Sequence, residues 1–187
     1  MRHTILFLLL LVLLPVSVAV QDLLPGIPPA QERLLLLPVI FAFGVLALPL
    51  VPALWFALLT AIVQGLSLLQ IQSGQAEMGL TVPVVFFLGW AIVLQMASEA
   101  THGMRWELHA LGSALVTLTL MAGEFLLLCA RRGGFPLDGA VLLKLAVPSA
   151  AALLLAPLLY LLLRSLVPLS PSPAEPSTAP RQPGFGL

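Results

Sequence analysis

Residues 34–69 read LLLLPVIFAFGVLALPLVPALWFALLTAIVQGLSLL, a stretch of 36 residues without a charged side chain. One helix of that length would be about 54 Å long, whereas the hydrocarbon core of a bilayer is about 30 Å thick. Pro49 and Pro52 lie near its middle, and a proline removes a backbone hydrogen bond from a helix. We therefore predict two membrane spans, 34–48 and 52–69, joined by a tight turn. The first is short, so we expect it to be tilted, to thin the bilayer or to be shielded by neighbouring helices.

The composition of the whole chain also requires a membrane. Of 187 residues, 60% are hydrophobic and 9% are charged, and the mean hydropathy is +1.09. Soluble domains carry about 25% charged residues. Eight basic and eight acidic residues give zero formal net charge, which argues against a nucleic-acid partner because such a partner needs a clustered basic surface. Cys129 is the single cysteine, so an intramolecular disulfide is excluded.

Apolar segments separated by polar or proline-rich breaks continue along the chain. The predicted fold is an all-α bundle of about six transmembrane helices in one domain, 1–166, with spans at 4–20, 34–48, 52–69, 81–98, 108–130 and 139–163. Residues 167–187 hold six prolines and show no periodicity, so we predict a disordered tail. Six spans place both termini on one side of the membrane, which we take to be the cytoplasm. Outside the spans, four arginines lie on one side of the membrane and three on the other. The positive-inside rule therefore gives only a weak indication of the orientation.

The first span has an alternative interpretation as a cleaved signal peptide. Arg2 and His3 form a basic start, residues 5–16 form an apolar run, and Ser17-Val18-Ala19 resembles a cleavage site. We favour a retained span, because proteins with several later spans rarely need a removable signal.

Two opposite charges lie inside the predicted fifth and sixth spans. Glu124 and Lys144 are each ten residues from Gly134, at the centre of the connecting loop. An antiparallel hairpin would place them at the same depth, so we predict an intramembrane ion pair between the two helices. Its role is to fix the register of the hairpin or, alternatively, to handle protons or a ligand.

The fifth span carries two stripes of polar or small residues. At 100° per residue, one stripe about 80° wide contains His109, Ser113 and Thr117 together with Glu124. A second, helix-packing stripe contains Gly112, Thr119 and Gly123, because small residues allow helices to approach closely in lipid. The first stripe is interpreted as a packing surface inside the bundle or, alternatively, as the lining of a polar cavity.

Isolated polar residues in two other spans are candidates for hydrogen bonds to the fifth span. In the third span Thr60, Gln64 and Ser67 lie within about 60° of one another, and Gln95 is alone in the fourth. Such interhelical bonds contribute about 0.6 kcal/mol each.

The motifs that carry catalysis or bind cofactors are missing from the sequence. There is no nucleophile–base constellation, nucleotide loop or dinucleotide fingerprint, so we predict neither an enzyme nor a cofactor. His102 and His109 have no apparent third ligand, and we predict no metal site.

Several local features follow one another in an order that is typical of one family. In chain order they are a proline-bearing segment 21–29, Leu35-Leu36-Leu37-Pro38, Gly65 in the third span, Glu77-Met78-Gly79, Arg105-Trp106-Glu107-Leu108-His109, and Glu124-Phe125-Leu126. Over roughly residues 4–165 this order resembles a divergent member of the MreD family, the membrane component of the bacterial rod-shape system. Gln70 and Gln72 stand where that family often has an acidic residue.

The resemblance implies a non-enzymatic scaffold of the cell-shape and lateral peptidoglycan synthesis machinery in the bacterial inner membrane. Such a scaffold binds an MreC-like membrane protein and connects cytoplasmic filaments with wall-synthesis enzymes. The implied fold is a six-helix bundle similar to the substrate-binding subunits of energy-coupling-factor transporters. Those subunits provide the alternative function, binding of a vitamin or metal for a small-molecule transporter.

Overall fold

The computed structural model describes residues 2–26, 34–67, 71–72, 75–76, 81–101, 106–134 and 138–165. Within these ranges the chain forms six helices, α1 (Arg2–Leu23), α2 (Leu37–Ala47), α3 (Leu50–Ser67), α4 (Thr81–Ala100), α5 (Trp106–Arg132) and α6 (Gly139–Arg164). Between α3 and α4, two strands of two residues each, β1 (Ile71–Gln72) and β2 (Gln75–Ala76), pair in an antiparallel arrangement. The all-α prediction is confirmed. The predicted tail, 167–187, and His102 lie outside the described residues.

Four helices of the described chain are long and apolar enough to cross a membrane, namely α1, α4, α5 and α6. The apolar helices α2 and α3 are shorter, and each predicted span overlaps one of the six helices. The prediction of a multi-pass helical membrane protein is therefore confirmed for four candidate spans.

The boundary between α2 and α3 follows from prolines. Pro49 disfavours helical backbone at the residue before it, and Leu48 is extended, with φ −103° and ψ 149°. Pro38 occupies the first turn of α2, where a missing backbone N–H costs nothing. The predicted turn inside the long apolar stretch therefore falls at Leu48 and Pro49.

Two capping residues flank the connector between α5 and α6. Gly133 adopts a positive φ of 70°, and its N–H donates to the Cys129 carbonyl at 2.9 Å, which ends α5. Asp138 is the N-cap of α6, where its Oδ1 accepts from the Val141 N–H at 3.0 Å.

The centre of the bundle is occupied by α2, which packs against all five other helices. Every residue from Leu37 to Leu46 is buried, and Phe41 and Phe43 are 0% exposed. A helix that is apolar on all sides needs neighbours or lipid on all sides, and here the neighbours are protein. The structure therefore shows α2 shielded by the neighbouring helices.

The length of α2 is about half the thickness of the hydrocarbon core of a bilayer. Its eleven residues are about 16 Å long, against a hydrocarbon core of about 30 Å. Near its start Val39 packs with Ala152 and Ala156, beyond the midpoint of α6, and the Phe43 ring lies 6.5 Å from the Tyr160 ring. The helix therefore lies beside the C-terminal half of α6.

The first helix packs against α2 and α3 through one face. Its buried residues recur at helical spacing and are Leu6, Leu10, Leu14, Ser17 and Gln21. The helix runs without a break through the segment that resembles a cleavage site.

Candidate functional site

Gln95 of α4 satisfies two backbone carbonyls at the end of α2. In a continuous helix the carbonyls of Val45 and Leu48 would accept from the N–H groups four residues on, which are positions 49 and 52. Both positions are proline and have no N–H. The Gln95 Nε2 group donates to the Val45 carbonyl and, at 2.9 Å, to the Leu48 carbonyl.

This arrangement corrects one expectation drawn from the sequence. Gln95 was a candidate for a hydrogen bond to α5, but its amide bonds to α2. The structure does not give Thr60 of α3 a bond to α5 either. Instead, the Thr60 hydroxyl donates to the Phe56 carbonyl of its own helix at 2.8 Å. The sequence did contain a signal for this contact. Pro49 and Pro52 lie four residues after Val45 and Leu48, so the carbonyls of these two residues lack helical donors and need another partner.

The predicted polar stripe of α5 faces the interior. His109, Ser113 and Thr117 are each 0% exposed. The Ser113 hydroxyl donates to the His109 carbonyl at 2.7 Å, and the Thr117 hydroxyl donates to the Ser113 carbonyl at 2.8 Å. Both hydroxyl groups are therefore occupied by the backbone of their own helix.

His109 joins α5 to α2 and α6. Its Nε2 atom lies 3.1 Å from the Val39 carbonyl, so this nitrogen carries the proton and donates. The ring lies 5.7 Å from the Phe43 ring and 5.9 Å from the Tyr160 ring. Its Nδ1 atom is buried without a hydrogen-bond partner in the described chain.

The two residues of the predicted ion pair lie in different surroundings. Glu124 is half-buried and lines a cleft with α4, where its Oε1 atom is buried without a hydrogen-bond partner among the described residues. Lys144 is exposed on α6. The ion pair itself stays a prediction.

The predicted packing stripe of α5 meets α4 at one end. A Cβ atom added to Gly112 would lie 2.8 Å from Leu94 Cδ2, so a larger residue there would require the end of the Leu94 side chain to shift. Gly123 has nothing within 4 Å of such an atom and lines the same cleft as Glu124. Thr119 donates to the Leu115 carbonyl of its own helix at 2.7 Å.

Two clefts among the described residues lie on the outside of the bundle. One of about 470 Å³ lies between the N-terminal ends of α1 and α3, and its lining residues are His3, Thr4, Phe7, Val51, Pro52, Trp55 and Leu59. Among the described residues, no group of three His, Cys, Asp or Glu side chains is placed to hold a metal ion. Comparison of the chain with protein-family models, with curated proteins and with solved structures finds no match.

Proposed function

We propose that this protein is a non-enzymatic membrane scaffold of the bacterial cell-shape and peptidoglycan synthesis machinery, similar to MreD. In this proposal it lies in the inner membrane with both termini in the cytoplasm and binds an MreC-like membrane protein. The cell-shape assignment rests on the order of sequence features between residues 4 and 165. The structural support concerns the class of protein, a scaffold rather than a carrier.

The observation that carries the scaffold proposal is the enclosed position of α2. A small-molecule binding subunit needs a chamber with several convergent polar groups. Here the centre is filled by side chains of α2 that are 0% exposed, including Val39, Phe41 and Phe43. A protein with a filled centre has its outer surface available for function.

The use of the interior polar groups supports the same proposal. The amide of Gln95 and the hydroxyls of Thr60, Ser113 and Thr117 all donate to backbone carbonyls. These bonds stabilise helices and helix contacts in a solvent that offers no hydrogen bonds. The donor hydrogens of these groups are therefore engaged within the protein.

The outer surface is suited to contact with other helices in lipid. Exposed apolar side chains are found on all the long helices, and Leu154, Val85 and Ile5 are among the most exposed. We further propose that all six helices lie within the membrane, in the arrangement of energy-coupling-factor substrate-binding subunits. A partner such as an MreC-like protein would then meet the lipid-facing surface of this bundle.

The experiment that tests the proposal is affinity purification of the tagged protein from native membranes in a mild detergent. Co-purifying proteins are identified by mass spectrometry. The proposal expects an MreC-like protein and wall-synthesis enzymes. A parallel purification of Gly44→Leu, in which the new side chain overlaps the Phe56 ring, identifies proteins that bind regardless of the fold.

Recovery of an ATPase and a coupling subunit would contradict the scaffold proposal and favour the transporter alternative. In that case the unpartnered Nδ1 atom of His109 is the first interior group to be tested for ligand binding.

A further inference from the structure

One carboxyl group at membrane depth faces an apolar cleft. Glu124 lines the α4/α5 cleft, which is formed together with Val82, Pro83, Phe86, Leu120, Gly123 and Leu127. The buried Glu124 Oε1 atom has no hydrogen-bond partner in the part of the chain that is described. A carboxyl group among apolar side chains is costly unless it receives a hydrogen bond or a positive charge.

The depth of this carboxyl group follows from its position in α5. Arg131, in the last turn of the helix, lies seven positions after Glu124. At 1.5 Å per residue the carboxyl-bearing turn lies about 10 Å inside that end of the helix. A soluble protein does not reach this depth, whereas a helix within the membrane does.

The surface beside the carboxyl group is open at Gly123. A Cβ atom added to Gly123 would have nothing within 4 Å, although the residue lines the cleft. Small residues are the positions at which a second helix approaches closely in lipid. The cleft therefore combines an apolar wall, open space and one acceptor that lacks a donor.

We infer that the α4/α5 cleft docks a transmembrane helix of another protein, and that a lysine or arginine of that helix binds Glu124 in place of the Lys144 pairing expected from the sequence. The basic residue lies about 10 Å inside the membrane face at which α5 ends. Charge complementarity selects this occupant, because the cleft has a single acidic group and an otherwise apolar lining. The inference deepens the proposed scaffold function, since it rests on that function in assigning the cleft to a protein partner.

The test uses the full-length protein in phosphatidylcholine vesicles and synthetic transmembrane helices of leucine and alanine. One host helix has a lysine about 10 Å from one end, a second has leucine at that position, and a third has the lysine near its other end. A donor dye at the N-terminus of the protein and an acceptor dye on each helix report association by energy transfer. Glu124→Gln is the test variant, and Glu107→Gln, at an exposed position of α5, is the matched control.

The wild-type protein is expected to bind the first helix about tenfold more tightly than the other two, since the strongest interhelical polar contacts are of that size. Glu124→Gln is expected to lose this preference, and Glu107→Gln is expected to keep it. Equal binding of the three helices by the wild type overturns the inference, and so does a preference that survives Glu124→Gln. The comparison of helices on the wild type needs no variant to fold. Failure of this inference can also be distinguished from failure of the scaffold proposal, because the scaffold proposal is tested separately by the proteins recovered from native membranes.

Discussion

Replacement of Gln95 by methionine should destabilise the protein, because two carbonyls at the end of α2 would lose their donors. Methionine preserves the approximate shape of the side chain and removes the amide that reaches Val45 and Leu48. Neither carbonyl can regain a helical partner, since positions 49 and 52 are proline. The loss therefore persists even if the helices rearrange.

The expected size of the effect follows from values for interhelical hydrogen bonds in membranes. These bonds average about 0.6 kcal/mol because the separated helices find other partners, and they reach about 1.7 kcal/mol. The Val45 and Leu48 carbonyls have fewer alternative donors, because the positions that would supply them are proline. The value of about 1.7 kcal/mol therefore describes each of these two bonds better than the average does. Gln95 is only partly buried, which reduces the loss, and we expect about 2 kcal/mol.

The assay is equilibrium unfolding in mixed micelles with an increasing mole fraction of SDS, followed by circular dichroism. Thr119→Val is the matched control, because its hydroxyl donates to a carbonyl of its own helix and no interhelical bond is lost. We expect this control to stay within about 0.5 kcal/mol of the wild type. If Gln95→Met also unfolds within about 0.5 kcal/mol of the wild type, the assignment of Gln95 as the partner of these carbonyls is refuted.

Three further predictions concern packing, capping and processing. Gly44→Ala should cost about 1 to 3 kcal/mol, because the added methyl group overlaps the Phe56 ring in the core. Gly89→Ala should change stability little, since an added Cβ there has nothing within 4 Å. Asp138→Ala should cost about 1 kcal/mol through loss of the α6 N-cap, measured in the same unfolding assay. The intact mass of the protein purified from bacterial membranes should be that of a chain that retains residues 1–20, because α1 packs against α2 and α3.

Each of these predictions has a result that contradicts it. Equal stability of the two glycine variants would mean that α2 and α3 are further apart than the structure places them. An Asp138→Asn variant should retain most of the cap, so equal losses in Asp138→Asn and Asp138→Ala would point to a role other than capping. A mature protein lacking about twenty N-terminal residues would identify the first helix as a signal peptide.

The helices were largely predictable because local rules determine them. The length of the apolar stretch 34–69 exceeds one membrane span, and Pro49 fixes where the chain turns. The polar stripe of α5 followed from helical periodicity alone, and its three residues are buried as a set.

The partners of the polar residues were not predictable in the same way. Periodicity gives the face of a helix on which Gln95 lies, but it does not give the neighbouring helix. In a six-helix bundle the neighbours depend on packing between distant segments, and here α2 takes the centre. For the same reason Glu124 and Lys144 could be assigned similar depths from the sequence, while the neighbours of each side chain could not.

The central claim, that α2 is enclosed by the other five helices, is tested most directly by photolabelling from the lipid. Wild-type protein is reconstituted with phospholipids that carry a diazirine on an acyl chain, and labelled residues are mapped by mass spectrometry after irradiation. We expect labels on the exposed faces of α4 and α6, at positions such as Val85 and Leu154, and none on α2 between Leu37 and Leu46. Labelling of α2 at a level comparable with α6 would contradict the enclosed bundle and remove the support that it gives to a scaffold function.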